Sequence, residues 1–222
     1  MNFISVLSCL SLLLAAAVAQ YPKPCVVPLL LTGSFSMSAG NGFISASGSV
    51  TYSALGEQMR LRSIGVAAGQ TFIVDQVMLF NEKVYYEIDW SKESCKKFPL
   101  NTEFIPMQVP ANAKLMGQSF LGSSSSWGMG VLTNTWYGKL SENGHYTTAF
   151  TEVGCIPIFF SGYTPETGWI TYDTFNWIIG TSNPMDFIPP DFCVASKLEE
   201  TKTPHSFFTA VESLAMKTKR DK

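Results

Sequence analysis

An all-β fold with minor helix is predicted for this 222-residue chain by three features. Short apolar runs alternate with polar residues at a period of two. Turn residues punctuate those runs at short intervals. The composition is rich in aromatics, with 16 Phe, 8 Tyr and 5 Trp, and poor in charge, at 14%. Many short strands so spaced predict two stacked antiparallel sheets, a sandwich or half-open barrel.

The amino-terminal segment stands apart from that fold. Residues 1–19 read MNFISVLSCLSLLLAAAVA and are almost continuously apolar from Phe3 to Ala17. Ala17-Val18-Ala19 fits a small-x-small cleavage rule, which predicts a secretory signal cut before Gln20. The run is short for a bilayer span of roughly 20 residues, and no basic stop-transfer flank follows. The expected organisation is a signal over 1–19, a β-domain over 20–196, and a helix with a basic tail over 197–222. The expected location is extracellular, with no transmembrane span.

The strands follow in order. Ser49–Leu55 and Met59–Val66 alternate in part. In the second, Met59 and Leu61 oppose Arg60 and Arg62, as in a half-buried strand. Thr71–Phe80 and Val84–Ile88 flank the polar turn Asn81-Glu82-Lys83 and predict a hairpin. Gly128–Tyr137 is the next strand. Asn143-Gly144 is the best turn dipeptide in the chain, since both residues tolerate positive φ. His145–Val153 returns from it, and Ile156–Tyr163, Trp169–Tyr172 and Phe175–Ile179 complete the strand set. Ser123–Ser126, between Gly122 and Gly128, reads as a flexible loop. Ala111–Phe120 reads as a short helix. Pro204–Lys217 reads as a better one: Thr203 can cap it, and Phe207, Phe208, Val211, Leu214 and Ala215 share a face.

Composition excludes several function classes. Fifteen basic residues against 17 acidic give a net charge of -2, which excludes a nucleic-acid binder driven by bulk positive charge. The 46% hydrophobic content excludes global disorder. Cys9 leaves with the signal, so Cys25, Cys95, Cys155 and Cys193 remain. An even count in an oxidising compartment predicts two disulfides, and three connectivities stay open. The absence of a C-x-x-C pair argues against a zinc ribbon.

No nucleophile elbow, zincin, phosphate-loop or EF-hand pattern is present. His145 reads as an exposed residue after a turn, and His205 as a helix-start residue. A hydrolase would need a pocket carboxylate, or one of these histidines, with a suitable partner. Asp173, Asp186 and Asp191 are oxygen donors available to a calcium site, and equally ordinary turn and cap residues. The aromatics are the more informative feature. Trp90, Trp127, Trp136, Phe150, Trp169 and Trp177 are either a plain core or the wall of an apolar pocket for a lipid-like ligand.

Several motifs occur in a specific order. Tyr85-Tyr86-Glu87-Ile88-Asp89 precedes Cys95, then Phe104-Ile105-Pro106, Asn112-Ala113 and Leu121-Gly122. Trp136 and Gly144-His145-Tyr146 lead into Gly154-Cys155-Ile156-Pro157. Last comes Asn183-Pro184-Met185-Asp186-Phe187-Ile188-Pro189-Pro190-Asp191-Phe192-Cys193. In this order, over roughly residues 25–193, the chain resembles the ependymin-related proteins. It fits an invertebrate-type member best. Vertebrate members typically carry N-glycans, whereas no N-x-S/T sequon occurs here, and the family's additional cysteines are absent.

The resemblance implies a fold similar to bacterial lipoprotein-carrier domains, with a deep apolar pocket between the sheets. It implies disulfides Cys25–Cys155 and Cys95–Cys193, a secreted or lysosomal location, the homodimer found in many members and the calcium binding found in several, with no organic cofactor. It does not imply enzymatic activity. The function expected is a secreted, disulfide-bonded protein that binds a lipid or other apolar ligand, with calcium dependence. The alternative is a non-enzymatic component of an extracellular matrix, including calcified shell matrix, with calcium and matrix components as partners.

Overall fold

The computed structural model describes residues 21–67, 69–140, 143–165, 168–180 and 183–199. The expected signal segment, the helix over Pro204–Lys217 and His205 lie outside the described residues.

Tight turns build the architecture. Glu57, Lys83 and Asn143 adopt positive φ at hairpin ends, which matches the twist of the strands they join. The strands among the described residues are β1 (Leu30–Ala39), β2 (Ile44–Ser53), β3 (Gln58–Ala67), β4 (Gln70–Leu79), β5 (Val84–Asp89) and β6 (Ser94–Pro99). They continue with β7 (Lys114–Gly122), β8 (Gly130–Lys139), β9 (His145–Thr151), β10 (Pro157–Thr164) and β11 (Gly168–Ile179). All pair antiparallel, in the order β6-β5-β4-β3-β2-β1-β11-β10-β9-β8-β7. Two meanders are thus stitched together by β1 pairing with β11. The expected two sheets are halves of one continuous, unclosed sheet with β6 and β7 at its edges.

The sheet has an inner and an outer face. Leu31, Phe35 and Met37 of β1, Val50 and Tyr52 of β2, and Met59 and Leu61 of β3 are buried in one cluster with Trp136, Phe150 and Ile170 of the other meander. A shared core means that the sheet folds over on itself. The link 100–113 carries the chain from edge β6 to edge β7 and helps fill that core. Val109 N–H donates to Cys25 O at 2.9 Å, and Met107 N–H donates to Tyr52 Oη at 3.2 Å. Phe104 stacks on Tyr52 and meets Phe80 edge-on, with centroids 5.8 and 5.2 Å apart.

A second, smaller core lies on the outer face of β4 and β5. Val77, Leu79, Val84, Tyr86 and Ile88 are covered by Phe187, Phe192 and Cys193 of the carboxy-terminal segment. That segment forms two 3-10 turns, Pro184–Phe187 and Asp191–Cys193, and ends with Glu199 N–H donating to Lys97 O at 2.8 Å. Two disulfides hold these parts: Cys25–Cys155, spanning 130 residues, and Cys95–Cys193, spanning 98. These are the pairs the family resemblance implies, and they interleave along the chain.

Three local expectations are corrected, and two strands are added. Ala111–Phe120 is not helical: Lys114–Gly122 forms edge strand β7, because pairing with β8 overrides the weak helix propensity of an Ala/Lys/Leu/Met run. Trp169–Tyr172 and Phe175–Ile179 are one strand, bulged where Asn176 has φ 56°. Leu30–Ala39 and Ser94–Pro99 are strands although no expectation placed them there. Arg60 opposes Met59 and Leu61 as expected, but it is buried, because the carboxy-terminal segment covers it.

Candidate functional site

Register places Tyr146, Thr148 and Phe150 of β9 on the inner face, beside Trp136 of β8 and Phe160 of β10. Phe160 pairs with Tyr172 of β11, which pairs with Met37 of β1. One face of five adjacent strands therefore carries a continuous aromatic surface. Glycine makes room for it: a Cβ on Gly138 would lie 2.4 Å from the Tyr146 hydroxyl, so the ring lies across β8 only because that position has no side chain. Tyr146 stacks on Phe160 at 6.1 Å, and Tyr172 meets Phe35 at 6.2 Å.

Within this apolar surface three polar atoms are buried without a hydrogen-bond partner among the described residues. They are Trp136 Nε1, Tyr146 Oη and Tyr172 Oη. Each can donate a hydrogen bond, and an unmet buried donor costs about 1–3 kcal/mol. Burial pushes both phenols above their ordinary value, so both stay protonated donors at neutral pH. Towards edge β7 the same face opens: Leu115 and Leu132 are half-buried and Phe120 is exposed. Trp136, Tyr146 and Tyr172 thus present three hydrogen-bond donors with no acceptor among the described residues.

The six aromatics expected in a pocket are dispersed. Trp136 and Phe150 lie in the main core, on the face just described. Trp177 packs its ring over Gly33, where a Cβ would approach to 2.5 Å, and donates from Nε1 to Pro157 O at 2.9 Å. Trp169 forms a ring cluster with His145 and Tyr163 on the outer face, with centroids 5.2–5.6 Å apart. Trp90 is half exposed on the outer face, donates to Asp75 Oδ2 at 2.8 Å and meets Phe192 edge-on. Trp127 sits at the tip of the β7–β8 hairpin. Sequence reasoning missed Tyr146 and Tyr172. Their signal is inward register opposite a glycine or a phenylalanine, which becomes visible only once strands are paired.

A separate cavity of about 530 Å³ lies where the turns before β3 and β5 meet the link after β6. Phe80 and Phe104 line it together with Glu57, Lys83, Asn101 and Glu103, so it is a polar-rimmed cleft. Asp186 is engaged by Arg62 at 3.6 Å, while Asp173 lies on β11 and Asp191 begins the second 3-10 turn. Among the described residues no three His, Cys, Asp or Glu side chains are grouped to hold a metal ion.

Comparison with known proteins adds a different kind of finding. Residues 68–193 match the family model described as Ependymin. The chain is 30% identical to Ependymin-2 of Carassius auratus over 187 residues, covering 84% of this chain and 86% of that one. It is 30% identical to Ependymin of Notemigonus crysoleucas over 204 residues, covering 91% and 94%. A crystal structure of an uncharacterized conserved protein from Thermus thermophilus superposes with a TM-score of 0.49 at 8% identity, over 86% of this chain and 98% of that one.

Proposed function

The chain belongs to the ependymin family, and from that premise we propose that it is a secreted, non-enzymatic binding protein for an apolar ligand carrying an acceptor oxygen, such as a lipid ester or carboxyl group. The observation that carries this reading is the trio of unmet donors, Trp136, Tyr146 and Tyr172, set in an apolar face. A buried hydroxyl or indole N–H with no partner lowers stability, and a bound acceptor would remove that cost. Apolar burial would supply most of the affinity, and the three donors its orientation. Secretion is supported by the leader-like segment 1–19 and by two disulfides of wide span. No helix among the described residues is long and apolar enough to cross a membrane.

Native mass spectrometry of the protein from its source, followed by organic extraction, tests the reading. The expected result is a co-purifying apolar compound of defined mass whose retention weakens about tenfold when Tyr146 and Tyr172 are both Phe. A ligand-free mass that takes up no added lipid would overturn it.

A further inference from the structure

From Leu115 to Gly138 the chain has no charged side chain. This stretch is the β7–β8 hairpin at the free edge of the sheet. Its exposed apolar residues lie on both faces. Phe120 points inward and its neighbour Leu121 outward, opposite Val131, and all three are more than half exposed. Met129 is equally exposed near the tip, and Trp127 at the tip is 102% exposed.

We propose that this hairpin tip docks the protein onto the interface of a lipid bilayer. Three observations favour a bilayer over a protein partner. A protein docking on one face of the hairpin would leave the other face wet, whereas a bilayer surrounds both. Trp is the side chain best suited to the headgroup level, being apolar in body and polar at its N–H. The tip also satisfies part of its own backbone, which lowers the cost of entering a water-poor layer. Ser123 N–H donates to Met129 O at 2.9 Å, Met129 N–H to Ser126 O at 3.3 Å, and Ser125 N–H to Ser123 Oγ at 3.1 Å. The four-serine run is thus a hydrogen-bonded cap. Depth is limited by the outer edge of β7, whose backbone groups have no neighbouring strand among the described residues and stay in water. The contact is interfacial, and it stands independently of the inner-face ligand.

The test is flotation of the purified full chain with neutral phosphatidylcholine vesicles. The wild type is expected to float at low and at high salt alike, because no charge contributes. Trp127→Ser is expected to bind about tenfold more weakly, and Met129→Ser to weaken binding in the same direction. Both sites are exposed, so thermal midpoints should be unchanged. Lipids brominated near the headgroup should quench the wild-type tryptophan emission more than lipids brominated deep in the chain. Tyr146→Phe should leave flotation unchanged, which separates failure here from failure of the ligand reading. Absence of wild-type flotation, equal flotation of Trp127→Ser, or loss of flotation in high salt would overturn the proposal. So would a concentration-dependent dimer lost in Trp127→Ser without vesicle binding, which would assign the tip to a second copy.

Discussion

Tyr146 and Tyr172 carry buried hydroxyls with no hydrogen-bond partner among the described residues, so truncating them has a defined direction. Tyr146→Phe is expected to raise the stability of the free protein by about 1 kcal/mol, seen as a higher midpoint in denaturant. Burial raises both phenols above the usual value of 10. The unfolded chain therefore releases a proton that the fold retains. Stability should be level below about pH 10 and fall as pH rises above it, and Phe at both positions should reduce that fall, burial of Tyr52 supplying the rest. The opposite design surrounds Asp75, which is buried and saturated. Arg60 donates to it from Nε at 2.8 Å and from Nη2 at 2.5 Å, and Trp90 from Nε1 at 2.8 Å. Arg60 also donates from Nη1 to Asp186 O at 2.7 Å. Asp75→Ala would strand the buried guanidinium and should cost about 3–5 kcal/mol, whereas Arg60→Met with Asp75→Leu should cost less than either single change. Thermal melts of the three variants check the order. Alternation in the sequence shows that Arg60 opposes Met59. It cannot show that Arg60 is buried, because the covering residue Asp186 lies 126 positions away.

The carboxy-terminal segment illustrates the scale of the element. It has no regular strand or long helix, yet it seals the second core through Phe187 and Phe192 and is tied to β6 by Cys95–Cys193. Cys95→Ala with Cys193→Ala is expected to lower stability by about 2–5 kcal/mol, mainly by freeing this strap. The thermal midpoint should fall by about 5–15 °C. Equal midpoints for the two proteins would exclude the role. Elements were legible where one face is buried and the other wet. β3 alternates from Leu61 to Ile64 and β9 from His145 to Thr148, and Asn143 takes the positive φ its turn requires, 64°. β7 carries no strand signal in the sequence, because an edge strand exposed on both faces has no reason to alternate. β1 does alternate, with Leu31, Gly33, Phe35, Met37 and Ala39 inward and Ser34, Ser36 and Ser38 outward. Its small residues concealed the pattern.

At the scale of the whole molecule, the all-β class and the half-open form follow from many short strands and turns. The stitching of β1 to β11 does not, since it joins segments far apart in sequence. The dispersal of the six aromatics has the same origin: composition counts rings, while pairing decides which face each one takes. The interleaved disulfides have one more consequence. Cys25–Cys155 straddles Cys95, and Cys95–Cys193 straddles Cys155. A single protease cut anywhere between residues 25 and 193 therefore cannot release a fragment, because every such cut is bridged by at least one disulfide. Limited digestion should give a ladder of bands on a reducing gel and one band near intact mass on a non-reducing gel. A nicked molecule would stay in one piece after damage that would dismember an uncrosslinked chain.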